Sequence, residues 1–378
     1  ASMTSPLPFI DLQAQYRRLK PAIDARVMRV LEHGRFILGP EVAELEAALS
    51  AFCGVRETVT VASGTEALRI PMMGEGIGPG DAVFLLAFTY TATAEVPCAI
   101  GAEPVFVDVD PRSYNLDPAA LERAIAEVRA EGRLRPRAVV AVDLFGLPAE
   151  YEAIGETCRR EGLFLLSDAA QSFGASQGNR RVGALAPVTA TSFFPAKPLG
   201  AYGDGGAIFT DDAAKAEIYR SIRFHGSNNA DRYEIERIGT NARLDTLQAA
   251  ILLVKLAAYP AELERRVAVA ARYDATLPAA VRRPGRQADS ASAWPLYVVE
   301  TPRRDAVKAA LTAAGIPTAI YYPKPLHFQP AYARFGAGPG SLPVSEGLCA
   351  KVLALPMHAD LDDATIDRIV AAMAAALG

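Results

Sequence analysis

Thr191-Ser-Phe-Phe-Pro-Ala-Lys197-Pro-Leu-Gly-Ala-Tyr-Gly-Asp-Gly-Gly-Ala-Ile-Phe-Thr210 joins two apolar runs through a glycine-rich turn with one lysine at its centre. The run from Val188 to Phe194 leads in and the run from Ala207 to Thr210 leads out, and both read as buried strands. Gly200, Gly203, Gly205 and Gly206 allow a tight turn and a close approach of the backbone to a flat ligand. A lysine held there is partly stripped of water, which lowers its pKa and makes it a candidate Schiff-base nucleophile. Glycine-rich turns also join strands without any chemistry, so the residues upstream of Lys197 decide the matter.

Upstream, Thr58 to Ala62 reads as a short strand, and Ser63-Gly64-Thr65-Glu66-Ala67-Leu68 as a small-residue turn opening a helix. Free backbone N–H groups and the helix dipole at that junction suit a phosphate, and the same residues also read as a plain Ser/Thr cap. Strands and helices then alternate. Val83–Ala87, Pro104–Val109, Ala138–Val142 and Leu163–Ser167 read as strands. Thr89–Ile100, Pro118–Ala130 and Glu150–Glu161 read as the helices between them. This pattern predicts an α/β fold with a mostly parallel sheet covered by helices on both faces. Ligands in such sheets bind at the carboxyl ends of strands. Ser63 to Thr65, Tyr90, Asp168 and Ser192 to Lys197 all fall just past strand ends, so one site can collect them.

An amphipathic helix over residues 9–33, ended by Gly34, and a second over Glu41–Phe52 precede the first strand. After Thr210 the pattern predicts a helix over Asp212–Phe224, a polar loop over Ser227–Arg237 and long helical material over 246–280, broken near Pro260. Then come a strand over Trp294–Glu300, a helix over Arg303–Ala314, the segment Thr318–Tyr322, a proline-rich loop over Pro323–Pro343, and helices at 344–353 and 362–377. The expected organisation is a large α/β domain over residues 1–250, with the helical segment at its start, and a small α+β domain over 251–378.

Composition narrows the function classes. The 378 residues are 51% hydrophobic and 22% charged, with a net charge of −4 and a pI near 5.7. That balance argues against a broad nucleic-acid surface. Cys53, Cys98, Cys158 and Cys349 form no C-x-x-C pair and no metal-ligand spacing, and read as buried free thiols with no metal site. Ala1 to Pro8 lacks the basic start and apolar run of a secretory leader, Ala1 and Ser2 ahead of Met3 read as a cloning remnant, and no uninterrupted apolar run of membrane-spanning length occurs. A cytoplasmic protein without membrane or nucleic-acid partners is the expectation.

Asp168, in Ser167-Asp168-Ala169-Ala170-Gln171-Ser172, ends an apolar strand. A carboxylate there is costly without a partner, and a protonated pyridine nitrogen is a good one; capping of the next turn is the competing use. The parts together fit pyridoxal 5′-phosphate. Lys197 would anchor it covalently, Asp168 would pair with the ring nitrogen, and Gly64, Thr65 and Ser192 would hold the phosphate. Tyr90 would stack on the ring and Gln171 would sit by the ring hydroxyl.

Four stretches carry a resemblance: Ser63-Gly-Thr-Glu-Ala-Leu68; Asp168-Ala-Ala-Gln-Ser-Phe-Gly-Ala175; Ser192-Phe-Phe-Pro-Ala-Lys-Pro-Leu-Gly-Ala-Tyr-Gly-Asp-Gly-Gly-Ala207; and Gly239-Thr-Asn-Ala-Arg-Leu-Asp-Thr-Leu-Gln-Ala-Ala250. In this order, and from Phe9-Ile-Asp-Leu onward, the chain resembles the sugar-nucleotide aminotransferases of the DegT/StrS type, which are fold-type I pyridoxal phosphate enzymes. The resemblance implies a seven-stranded large-domain sheet, a homodimer with shared active sites, and Asn241 reaching the other subunit's cofactor phosphate. Many relatives read Asn-Gly-Arg where this chain has Asn241-Ala242-Arg243; the same turn is expected, although alanine adopts positive φ less easily. The resemblance further implies transfer of the amino group of L-glutamate to a keto sugar on a nucleoside diphosphate, with 2-oxoglutarate released and Lys197 shuttling the proton. Dehydrating relatives carry His in place of the lysine, and this chain keeps Lys197.

Lys197-Pro-Leu-Gly-Ala-Tyr-Gly-Asp-Gly-Gly206 resembles the relatives that aminate C3, whereas C4 relatives tend toward Lys-x-Ile-Thr-Thr-x-Glu-Gly-Gly. Phe193-Phe194-Pro195 and Pro198 resemble the enzymes that act on UDP-2-acetamido-3-oxo-glucuronate for surface polysaccharide. The alternatives are a dTDP-3-oxo-6-deoxyhexose, a C4 keto sugar, or a cofactor-binding protein without sugar turnover. A uronate on a diphosphate needs cations. Arg243 is the first candidate, with an ion pair to Asp245 or Glu236 as its competing use. His327, in the proline-rich loop, is the second. One of Tyr321 and Tyr322 is expected in the core and the other at the site, with Tyr321 taken as the candidate. His225 reads as a pocket residue or as part of a helix C-terminus.

Overall fold

A computed structural model describes residues 7–228 and 230–378, so most of the opening segment used for the leader reading lies outside the described residues. Helices α1 (Leu12–His33) and α2 (Pro40–Cys53) come first. Next, in strict alternation, come β1 (Glu57–Val61), α3 (Gly64–Gly74), β2 (Asp81–Leu86), α4 (Ala92–Ala99), β3 (Glu103–Val107), α5 (Pro118–Glu131), β4 (Arg135–Val142), α6 (Tyr151–Glu161) and β5 (Phe164–Asp168). Two short strands, β6 (Ser176–Gln177) and β7 (Arg180–Arg181), lead to β8 (Val188–Ser192), β9 (Gly206–Thr210) and helices α7 (Ala213–Arg223) and α8 (Thr246–Thr276). The rest holds β10 (Ser290–Ala291), β11 (Tyr297–Glu300), α9 (Arg304–Ala313), α10 (Pro343–Leu348), β12 (Val352–Leu355) and α11 (Asp363–Leu377).

Seven strands form the main sheet in the order β1-β9-β8-β5-β4-β2-β3. From β8 to β3 every pairing is parallel, and β9 runs antiparallel to both β1 and β8. Parallel strands are buried on both faces and therefore read as continuous apolar runs, as Ala82 to Leu86 of the fully buried β2 do. Phe84, Leu86, Val139 and Leu165 pack on one side with α5 and α6. Val83, Leu85, Val140, Leu166 and Ile208 pack on the other with α3 and α7.

Two local expectations fail for identifiable reasons. First, α8 runs unbroken through Pro260. A proline costs a helix interior about 3 kcal/mol. Here Leu256 and Tyr259 are buried before it and Arg266 after it, and burial of side chains that size is of comparable magnitude. The first half of α8 packs with α2 and the lysine turn, and the second half with α9, α11, β11 and β12, so one helix serves both cores. Second, the helix expected at 344–353 stops at Leu348, and Val352 to Leu355 form β12, antiparallel to β11. Four consecutive buried apolar residues fit either element by periodicity, and the partner strand decides. Beyond these, Thr318–Tyr322 makes a single bridge, Ala319 to Ala354, and the small β10-β6-β7 sheet has no sequence signal. The four cysteines are free; Cys53, Cys158 and Cys349 are buried and Cys98 is half-buried.

Candidate active site

The carboxyl ends of β5 and β8 meet at the lysine turn. Phe193 N donates to Gly205 O at 2.7 Å and Ala201 N to Phe193 O at 2.7 Å, which closes the neck of the turn. Inside it, Lys197 N donates to Phe194 O at 2.8 Å. A Cβ on Gly200 would lie 2.3 Å from Pro195 O, so only glycine lets the chain fold back this closely. The Gln248 side chain pins the turn to α8, accepting from Tyr202 N at 2.8 Å and donating to Tyr202 O at 3.2 Å. Burial lowers the pKa of Lys197 below the ordinary lysine value, and the charge of Asp168 opposes that shift.

Asp168 ends β5 and is 7% exposed. Its Oδ2 accepts from Thr93 Oγ1 at 2.9 Å and its Oδ1 from Ala170 N at 3.2 Å. Burial raises its pKa, while Thr93, Ala170 and the Lys197 charge hold it down. The Ala170 bond is the local turn contact that the capping reading anticipates. It leaves acceptor capacity on a buried carboxylate beside a buried amine.

At the neighbouring strand ends, Ser63 caps α3, its Oγ accepting from Glu66 N at 3.1 Å. The cap does not exhaust the junction, because the amides of Gly64 and Thr65 have no carbonyl four residues back inside the helix. A Cβ on Gly64 would come 2.6 Å from Ser192 Cβ, so the two strand ends close on one another. Ser192, 8% exposed, accepts from Phe194 N at 3.2 Å. This cradle of amides and a hydroxyl suits a phosphate.

Gln171 is fixed at both ends of its amide: Oε1 accepts from Phe145 N at 2.6 Å and Nε2 donates to Tyr322 Oη at 3.1 Å. Thus Tyr322, rather than Tyr321, reaches the strand-end cluster, and Tyr321 packs partly buried beside it. Tyr90, 58% exposed, stands free just past β2. Asn241 is exposed on the strip after α7, bridged to Phe224. Ala242 is fully buried and is not in the left-handed region, so the turn without glycine carries no backbone strain. The Arg243 guanidinium lies 5.1 Å from the centroid of the Phe224 ring. Neither expected acid pairs with it, and Glu236 binds Arg237 and Asn228 instead. A cation–π contact is worth about 0.5–1 kcal/mol, less than a hydrogen bond to a charged group at about 1.5–3 kcal/mol, so an arriving anion can take Arg243 from the ring.

The two candidate histidines are held in different ways. His327 is 2% exposed, and its Nε2 lies 3.1 Å from Glu346 Oε1. Glu346 also accepts from the amides of Gly340 and Leu342, so this pair fastens the proline-rich loop to itself, while His327 Nδ1 is buried without a hydrogen-bond partner among the described residues. The loop is hooked to the sheet next door, Leu326 N donating to Ala87 O at 2.8 Å. His225 continues the end of α7 with φ 60°, its amide donating to Thr240 O at 3.0 Å and its ring exposed, which fits the helix C-terminus reading.

The fold therefore gathers Lys197, Asp168, Gly64, Thr65, Ser192 and Gln171 at one sheet edge, with Tyr90 exposed beyond β2 and Asn241 and Arg243 on the strip after α7. Thr93, Tyr322 and Gln248 escaped sequence reasoning. Each acts through a partner distant in sequence, and only the tyrosine pair carried a signal.

The sequence pattern of the DegT/DnrJ/EryC1/StrS aminotransferase family matches residues 17–374. A Pseudomonas aeruginosa protein named UDP-2-acetamido-2-deoxy-3-oxo-D-glucuronate aminotransferase is 47% identical over 368 residues, which cover 97% of this chain and 99% of that protein. A solved DegT DnrJ EryC1 StrS aminotransferase from Brucella abortus is 51% identical with a TM-score of 0.96, covering 98% of this chain and 100% of that one. A solved Bacillus subtilis protein, ntda with bound cofactor PMP, is 27% identical with a TM-score of 0.90, covering 99% of this chain and 86% of that one.

Proposed function

The chain belongs to the DegT/DnrJ/EryC1/StrS aminotransferase family, and from that premise we propose that it moves the amino group of L-glutamate to C3 of UDP-2-acetamido-2-deoxy-3-oxo-glucuronate, in the making of a surface-polysaccharide (O-antigen) precursor. It is an aminotransferase that uses pyridoxal 5′-phosphate. The observation that carries the substrate is the near full-length identity of 47% to a protein named for that sugar. Arg243, which among the described residues meets the Phe224 ring and no acid, supports it as the cation for the carboxylate or diphosphate.

When bound, pyridoxal phosphate supplies an electron sink for the charge that develops at the donor carbon. Lys197 would hold the cofactor, and its amine would carry the proton, first as base and then as acid. Its burial favours the neutral amine, the form that can attack the cofactor or accept a proton. Asp168 keeps a negative charge against the ring nitrogen. Gly64, Thr65 and Ser192 would hold the phosphate, Tyr90 would stack on the ring, and Gln171 would sit by the ring hydroxyl. In a homodimer, Asn241 serves the other subunit's phosphate. Supporting that assembly, Met28, Leu31, Phe36 and Ile37 form an exposed apolar stretch, and Ile37 bridges Asp245 close to Asn241. Tyr321 remains a weaker candidate at the sugar.

Incubating the enzyme with 2-oxoglutarate and either UDP-2-acetamido-3-amino-glucuronate or a 6-deoxy dTDP-3-amino sugar tests the substrate. Glutamate from the uronate alone is the expected outcome, and glutamate from the deoxysugar alone would refute it.

A further inference from the structure

Asp143 follows β4 and has no exposed surface. Its Oδ1 accepts from Ala149 N at 2.9 Å and from the Tyr151 hydroxyl at 2.6 Å, and its Oδ2 accepts from the Ser172 hydroxyl at 2.6 Å. A carboxyl receiving three donors and giving none is built for its ionised form. The Tyr151 oxygen also lies 2.5 Å from Ser167 Oγ. With the tyrosine proton directed to Asp143, Ser167 is the donor in that contact. Asp143 therefore grips the chain on both sides of Asp168, directly at Ser172 and through Tyr151 at Ser167. Its own amide donates to Asp168 O at 3.1 Å, and β4 and β5 run in register there, Val142 opposite Asp168. The turn it opens carries Phe145, whose amide holds Gln171.

We propose that Asp143 is a positioning residue of the aminotransferase site, holding Asp168 and Gln171 through Ser172 and Tyr151 and setting a second negative charge behind Asp168. The proposal rests on the family assignment and not on the choice of sugar. Helix capping does not explain the residue, since the cap position of α6 is Glu150. Packing alone does not either, because an apolar side chain fills such a place without burying a charge. The titratable groups facing Asp143 are Asp168 on β5 and Tyr151 on α6. Burial, with the nearby Asp168 charge adding to it, raises its pKa to about 7 against the downward pull of the hydrogen bonds from Ser172, Tyr151 and Ala149. A negative charge here favours protonation of the cofactor ring that Asp168 faces.

The test is the pH titration of the bound cofactor's visible absorbance, measured on holoenzyme without sugar. Asp143→Asn keeps the shape, accepting from Ala149 and Tyr151 and donating to Ser172, but removes the charge. The titration midpoint should fall by roughly half a unit to one unit. The kcat should fall about tenfold with the KM for L-glutamate within about twofold. Ser172→Ala loosens the grip and keeps the charge, so kcat should fall with a smaller shift of midpoint. An unmoved midpoint in Asp143→Asn overturns the proposal, whether kcat is normal or falls only in step with the melting temperature. If that variant yields no folded holoenzyme, Tyr151→Phe decides. Losing one donor makes Asp143 less acidic, so the midpoint should move the same way by a smaller step, and no movement overturns the proposal. Failure of the sugar assay leaves this optical result untouched.

Discussion

Lys197 and His327 are both basic side chains drawn out of water, and the two regions that carry them treat them in opposite ways. The turn at the sheet edge clamps its own backbone through Gly205, Phe193 and Gln248, yet among the described residues leaves the Lys197 amine with no partner beyond the field of Asp168. The proline-rich loop uses His327 itself as a fastener, tying it to Glu346. Where the backbone is held by other means, a buried polar side chain is left free for chemistry. Where the side chain does the holding, it is scaffold. Arg243 falls on the first side of that division and His327 on the second.

Substitutions sharpen the contrast, largest effect first. Lys197→Ala should lower kcat by about 10⁴-fold or more, with folding intact by circular dichroism. Binding of the cofactor to apoenzyme reports the amine directly. Its rate should rise with pH as the amine loses its proton and level off below the ordinary lysine pKa, because burial lowers that of Lys197. An ordinary lysine profile would break the comparison. Asp168→Ala should cost about 10²- to 10³-fold in kcat, read in steady-state assays, through loss of the charge at the ring nitrogen. Arg243→Gln should raise the KM for the sugar nucleotide by about 10- to 100-fold, matching one charge-assisted hydrogen bond, with the glutamate half-reaction little changed. His327→Ala should act on stability instead. It leaves Glu346 without its ring partner and opens space in the loop, destabilising by about 2–3 kcal/mol in a chemical melt, while kcat of the folded enzyme stays within about threefold. The smallest effect belongs to Ala242→Gly, where greater freedom of the unfolded chain should destabilise by about 0.5–1 kcal/mol without changing kinetics.

The sheet was legible because parallel strands bury both faces and so write themselves as apolar runs, as in β2 and β4. The cofactor edge was legible because it lies just past those runs, at Ser63 to Thr65, Asp168 and Lys197. What stayed hidden depends on distant pairing. Val352 to Leu355 became a strand only because β11 is there to receive it, and α8 crossed Pro260 because residues on both sides of it are buried. The contact of His327 with Glu346 stayed hidden because the two lie 19 residues apart on different elements. The choice between Tyr321 and Tyr322 turned on a contact with Gln171, 151 residues earlier in the chain.

The most direct test of transamination at C3 of a UDP-linked uronate is optical. Stoichiometric UDP-2-acetamido-3-amino-glucuronate should bleach the visible band of the yellow holoenzyme, and 2-oxoglutarate should then restore it. A band that this amine leaves unchanged, while a 4-amino sugar nucleotide bleaches it, would contradict the account.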